Sequence, residues 1–164
     1  MPAISRAKAL LMTGMATLTP INYSATLLAA ETARDHDVRV YMDVDYKAHQ
    51  WIDVRQFGAL VRGLLRLADV ALGTEEEICA AAGLDAPEDA ARHLLTLVHE
   101  AVILKRGRRG ARVFMKDGSV MDAPVFPVDV LNVFGAGDAF AAGVIASRIQ
   151  GADWPDALRT AAAC

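Results

Sequence analysis

Short apolar runs alternate along this chain with longer segments whose apolar side chains recur every three or four residues, and this alternation limits the possible folds more than any other feature. The runs at 9–14, 38–42, 68–72 and 101–105 are nearly continuous in apolar residues and read as buried strands. Between them, 24–35, 51–67 and 87–98 carry helical periodicity. In the first of these, Ala25, Leu28, Ala29 and Thr32 fall at i, i+3, i+4 and i+7 and define the expected buried face. Thr74 is expected to open a further helix that Gly83 stops. Residues 111–115 and 119–121 flank Lys116-Asp117-Gly118, where Asp-Gly supports a hairpin turn. Beyond a loop containing Pro124 and Pro127, Gly135 opens a helix reaching about Gln150, and Pro155 starts a last one. Strand–helix repetition with continuous apolar strands predicts an α/β fold of three layers, a mostly parallel, doubly wound sheet with helices on both faces. In such sheets ligands bind beyond the carboxyl ends of the strands, so the informative residues are those that follow strands.

Composition narrows the function. The chain has 164 residues, 54% of them hydrophobic, enough for one domain that buries roughly 70% of its unfolded surface. Seventeen basic and twenty acidic side chains give a formal charge of −3, which argues against a nucleic-acid footprint. Arg106, Arg108 and Arg109 lack interleaved aromatics and read as a solvated loop. Two cysteines, Cys79 and Cys164, are too few for a disulfide scaffold, and no pair of the four histidines has metal-ligand spacing. No apolar run approaches the roughly 20 residues of a membrane span. Residues 1–6 do not follow the basic-then-apolar pattern of a signal peptide, so the expectation is a cytoplasmic globular protein.

The sharpest local feature is the loop Val133-Phe134-Gly135-Ala136-Gly137-Asp138, which leads into an apolar helical segment. Two glycines around an alanine permit a tight turn, and the amides of Gly135, Ala136 and Gly137 then sit at a helix N-terminus, an anion site by dipole and geometry. Asp138 has two readings. It complements the helix dipole as an ordinary first-turn acid, or it takes a proton from a hydroxyl that attacks a phosphate held by those amides.

Asn132-Val133-Phe134-Gly135-Ala136-Gly137-Asp138 resembles the Asp-Thr-x-Gly-Ala-Gly-Asp signature of the ribokinase-like (PfkB) carbohydrate kinases. Three further segments agree in order and spacing. Asp43-Val44-Asp45-Tyr46-Lys47, followed by Trp51, is similar to that family's Asp-x-Asn/Asp-x-Arg stretch. Residues 69–77 resemble the strand leading into Asn-x-x-Glu, and residues 102–110 resemble the strand and glycine turn beside the nucleotide. The resemblance implies ATP and Mg²⁺ as cofactors and a small sugar or sugar acid as substrate, with no nucleic acid or membrane partner and a possible homodimer. Asp138 would be the catalytic base, and Gly135, Ala136 and Gly137 the anion hole. Lys105, Gly107, Gly110, Lys47 and Asn132 would contact the nucleotide, and Glu77 would help place magnesium through water. Glu77 also reads as the closing residue of a Thr74-x-x-Glu77 capping box. Lys47 reads equally as a solvated lysine that lacks the arginine fork, and Asp43 and Asp45 as turn formers. Within the family, the Asp45-Tyr46-Lys47 and Trp51 pairing and the Leu131-Asn132 start of the glycine loop are most similar to the branch phosphorylating 5-dehydro-2-deoxygluconate.

Asn132 and Val133 replace the usual Asp and Thr of the signature, and Thr74 replaces the usual Asn of Asn-x-x-Glu. The first departure bears on monovalent-cation use and the second on magnesium. Members of the family are about twice this long, so residues 1–164 are expected to be a single C-terminal nucleotide-binding part that lacks the N-terminal half and its lid. Weak or no kinase activity is expected of that part by itself. A non-catalytic ATP-binding module is the alternative reading. A Rossmann dehydrogenase is disfavoured, because no Gly-x-Gly-x-x-Gly follows the first strand.

Overall fold

The computed structural model describes residues 2–127, 129 and 133–164. Six strands form one sheet in sequence order: β1 (Ala9–Thr13), β2 (Arg39–Asp43), β3 (Val70–Thr74), β4 (Ala101–Lys105), β5 (Ala111–Met115) and β6 (Val120–Asp122). β1 to β4 are parallel, and β5 and β6 add antiparallel to the far edge. The helices are α1 (Pro20–Asp35), α2 (Val54–Leu65), α3 (Glu75–Ala82), α4 (Pro87–Leu95), α5 (Ala136–Ile149) and α6 (Trp154–Ala163). Because parallel crossovers are right-handed and the strands advance in one direction, α1 to α4 all land on one face. α5 and α6 cover the other, which completes the three layers.

The alternation of side chains along each strand divides the core in two. Val40, Met42, Ala71, Val102 and Leu104 pack with Phe57, Val61, Leu64, Ile78 and Leu94 under the first helical layer. Tyr41, Val70, Leu72, Ala101 and Ile103 pack with Val144, Trp154 and Leu158 under the second. Burial on both faces explains why β2, β3 and β4 show no polar alternation; β1, expected to be buried, is instead the edge of the sheet, with Leu11 half exposed.

Several element limits differ from the sequence expectation because side-chain caps decide them. α1 begins at Pro20, four residues early, since the Thr19 side chain accepts a hydrogen bond from the Asn22 amide and proline suits the first helical turn. Its buried face is Ala30 and Ala33, with Tyr23 and Leu27 partly buried against the core, whereas Leu28 is half exposed, so the expected face is rotated. α2 begins only at Val54, because Asp53 caps it. Trp51 precedes that helix and packs edge-on against Phe57, which also meets Tyr46 at 4.8 Å. Thr74 and Glu77 form a reciprocal capping box, and Gly83 ends α3 with φ of 73°. The hairpin turns at Asp117, whose Oδ1 accepts from the Ser119 amide at 2.8 Å. No described helix is long and apolar enough to cross a membrane.

Gly14 follows β1 where the backbone of Val44 passes. A Cβ at position 14 would stand 1.9 Å from the Val44 carbonyl oxygen. Neither partner is a flexible side-chain end, so Gly14→Ala is expected to cost about 3 kcal/mol or more and to lower Tm by roughly 6–12 °C in thermal denaturation. A loss below about 2 °C would show that the β1 end and residue 44 are not packed this closely.

Candidate active site at the carboxyl end of the sheet

Three adjacent parallel strands end at one place. Asp43 closes β2, Thr74 closes β3 and Lys105 closes β4. Lys105 Nζ lies 3.3 Å from Asp43 Oδ1 and 4.0 Å from Glu77 Oε2, and all three side chains are largely buried. Glu77 Oε2 accepts the Thr74 amide at 2.7 Å, so the two sequence readings of Glu77 are compatible: the side chain caps α3 and also faces the Lys105 ammonium.

Across from these strand ends, α5 begins. Gly135 is its N-cap with φ of 78°, a left-handed conformation natural to glycine, and among the described residues no side chain caps the helix. The Ala136 amide donates to the Val133 carbonyl at 3.3 Å, a use the sequence did not foretell. The amides of Gly137 and Asp138 find no partner among the described residues. A Cβ on Gly137 would lie only 3.3 Å from Lys105 Nζ, so the bare glycine lets the ammonium approach the helix start. A cation beside the positive end of a helix dipole is unfavourable by itself. An anion between them would be attracted by the ammonium and the free amides together.

This junction opens on a cavity of about 870 Å³. Lys105, Gly107 and Gly110 line one side, Ala136, Gly137 and Phe140 another, and Pro124, Val125 and Phe126 supply an apolar wall. Five of the expected site residues (Lys105, Gly107, Gly110, Ala136 and Gly137) therefore share one cavity. Asp138 stands in the first turn of α5 with an exposed carboxylate that makes no side-chain hydrogen bond or ion pair to another described residue. Lys47 is not brought to the cavity. Its ammonium pairs with Asp45 Oδ1 at 2.9 Å, and that bond chiefly raises its pKa. Asp45 in turn accepts from Thr13 Oγ1 at 3.0 Å, tying the β1 end to this loop. Asn132 lies outside the described residues. Arg106 is not solvated as expected: its Nη2 reaches Asp122 Oδ1 at 2.6 Å and its side chain is mostly covered. Arg109 pairs with Glu75, while Arg108 lines the cavity.

Among the described residues, no group of three or more His, Cys, Asp or Glu could hold a metal. Magnesium does not need such a cage, since it binds through one or two carboxylates together with waters and phosphate oxygens. Glu77, with Oε2 committed to its cap, fits that role through its other oxygen.

Asp43 is the residue whose weight the sequence understated. Burial raises its pKa from 3.8 to about 6, against the lowering effect of Lys105 and with a smaller raising effect of Glu77. Its burial comes from the position of β2 between β1 and β3, which turn-former statistics do not reveal. A carboxyl whose folded pKa is raised stabilises the fold below its unfolded value and loses that contribution as pH rises through the folded one. In the absence of nucleotide and divalent cations, Asp43→Asn should therefore gain stability relative to the parent chain between pH 4 and pH 7.5. The expected change is on the order of 2–3 kcal/mol, measured as unfolding free energy at each pH. A pH-independent difference would contradict the buried, ionised assignment.

A profile of the pfkB family carbohydrate kinases matches residues 1–164. A 5-dehydro-2-deoxygluconokinase of Clostridium tetani is 31% identical over 160 residues, covering 94% of this chain and 47% of that relative. A 5-dehydro-2-deoxygluconokinase of Photobacterium profundum is 33% identical over 164 residues, covering 95% and 49%. Among solved structures, a putative Ribokinase II of E. coli in complex with ATP and Mg²⁺ superposes with a TM-score of 0.89 over 99% of this chain and 52% of its own, at 23% identity. The chain thus spans about half the length of the curated relatives it matches. Sequence and fold agree, and the chain belongs to the pfkB family of carbohydrate kinases.

Proposed function

We propose that residues 1–164 form the single nucleotide-binding part of an ATP-dependent kinase that phosphorylates a primary hydroxyl of a sugar or sugar acid. The names of the relatives and the Asp45-Tyr46-Lys47 and Trp51 pairing favour 5-dehydro-2-deoxygluconate or a related keto-deoxy sugar acid as substrate. The observation that carries this reading is the meeting of Lys105 with the uncapped start of α5 on the rim of a cavity large enough for a nucleotide.

In this reading the adenine and ribose lie along Gly107, Gly110 and the apolar wall. The terminal phosphate faces Lys105 and the amides of Gly137 and Asp138, with Gly135 and Ala136 shaping the turn that exposes them. The Asp138 carboxylate accepts the proton of the attacking hydroxyl as its oxygen bonds to phosphorus and the bond to the leaving diphosphate breaks. Most of the acceleration comes from positioning and charge stabilisation by these fixed donors, as is general for phosphoryl transfer. Magnesium, when bound near Glu77, neutralises phosphate charge.

Saturation with Mg-ATP at about 100 Kd stabilises by about 2.7 kcal/mol, which for a domain of this size is roughly 5–10 °C in Tm. That shift is expected for the parent chain and for Asp138→Asn. It is expected to vanish in Lys105→Gln made together with Asp43→Asn, a pairing that leaves the Asp43 position without an unpaired charge. In an ADP-release assay with 5-dehydro-2-deoxygluconate, whatever residual turnover the parent chain supports should fall at least 100-fold in Asp138→Asn. No shift beyond Mg²⁺ alone would contradict the nucleotide site, and undiminished turnover in Asp138→Asn would contradict the base.

A further inference from the structure

The nucleoside half of the cavity has two sides. One is the 106–110 turn, whose Gly107 and Gly110 line the cavity, and the other is the apolar wall of Pro124, Val125 and Phe126. The turn closes on itself: the Arg106 amide donates to the Gly110 carbonyl at 2.8 Å, and the Gly110 amide to the Gly107 carbonyl at 2.9 Å. Both glycines are left-handed, with φ of 58° and 75°. A Cβ at position 110 would stand 2.9 Å from Val125 Cγ2 and 3.2 Å from the Ala123 carbonyl oxygen, so turn and wall lie against each other.

Backbone pairing does little to hold the wall. It follows β6, an edge strand of three residues, and the Ala123 amide extends the ladder by one bond to the Ala111 carbonyl at 2.8 Å. Beyond that bond, none of residues 124–127 pairs through its backbone with another described residue. The side chain of Asp122, the last residue of β6, ties the wall to its surroundings. Its Oδ1 accepts from Arg106 Nη2 at 2.6 Å, at the start of the turn. Its two oxygens also accept from Arg112, directly across the ladder on β5, through Nε at 2.8 Å and Nη2 at 2.8 Å. Arg106 Nη2 donates to the Arg109 carbonyl at 3.2 Å as well, so the same guanidinium braces the turn from within. Isolated exposed ion pairs contribute little, but here a bidentate arginine and a second arginine whose side chain is only 12% exposed share one carboxylate. The Arg112 hydrogen bonds, joined by the Arg106 charge, hold the Asp122 carboxyl below its usual pKa against the effect of burial, so it is ionised at neutral pH. Neither Asp122 nor Arg106 lines the cavity.

We propose that Asp122, acting through Arg106, is a positioning residue for the nucleoside: it sets the 106–110 turn against the wall before the base and ribose arrive. This role rests on the nucleotide reading of the cavity. A loop already held in its bound conformation spares the ligand the cost of ordering it, so the gain appears as affinity for the nucleoside part. The phosphates, which face Lys105 and the start of α5, do not draw on it.

Calorimetric titrations of the 164-residue chain with Mg-ATP and with Mg-tripolyphosphate separate the two halves of the site, because tripolyphosphate carries no nucleoside. The parent chain should bind both. Asp122→Asn and Arg106→Gln should each weaken Mg-ATP at least fivefold and Mg-tripolyphosphate less than twofold. Retained tripolyphosphate binding also shows that the variants are folded. The double variant should lose no more than the larger single loss, because both changes remove one contact. Glu88→Gln removes the other partner of Arg112, at 2.6 Å, without touching the turn or the wall, and should bind both ligands as the parent does. Mg-ATP affinity in Asp122→Asn within twofold of the parent overturns the proposal. So does an equal loss for the two ligands, which would mark a general loosening of the fold. A parent chain that fails to bind Mg-ATP at all would instead count against the nucleotide reading itself.

Discussion

Lys105 sets its ammonium between the buried carboxylates of Asp43 and Glu77 and against the start of α5, and through these contacts the ends of β2, β3 and β4 are joined to the helix on the opposite face of the sheet. Charges this far from water are tolerated only when paired, and removing the Lys105 ammonium while both carboxylates stay ionised is expected to cost about 3–5 kcal/mol. The cluster is not electrostatically complete in itself. Burial still pushes Asp43 toward its protonated form, and the free amides of α5 still face a cation. A polyanion that supplies negative charge at the amides and brings a divalent cation to the carboxylates would relieve both imbalances. The same interaction that organises the strand ends thus defines what the site is built to receive.

The fold puts the cluster there through ordinary packing. The three parallel strands β2, β3 and β4, buried on both faces, have no room for polar side chains along their length, so charged residues collect where the strands end. The Thr74–Glu77 capping box then orients one carboxylate as a by-product of starting α3. On the other face, α5 and α6 bury Val144, Trp154 and Leu158 against the sheet and leave the first turn of α5 at the cavity rim. At the amino end of the strands the same logic gathers Arg39, Glu100 and Arg148.

The strand positions, the start of α3 and the helix at Gly135 were legible in the sequence because each rests on local pattern: continuous apolar runs, a Thr-x-x-Glu cap, a glycine pair before an apolar helix. The helix limits at Thr19 and Asp53 were equally local, yet apolar periodicity passes over caps, and so α1 and α2 were misplaced by several residues. The rotated face of α1 reflects how that helix meets β2, which no pattern within the helix records. What the chain could not disclose was long-range. Asp43 and Lys105 stand 62 residues apart and meet only once the sheet is assembled. Lys47, which the resemblance implies as a nucleotide contact, pairs with Asp45 across the left-handed turn there, a side-chain bond that no sequence pattern records. Arg106 looked solvated because its partner Asp122 arrives from β6.

The most direct measurement is a titration of the ¹⁵N-labelled chain with Mg-ATP, followed by amide chemical shifts. If Lys105 and the uncapped start of α5 hold the phosphates, the Gly137 and Asp138 amides move most and saturate together with Gly107 and Gly110 along the cavity wall. Shifts that leave these four amides in place while others respond would contradict the account.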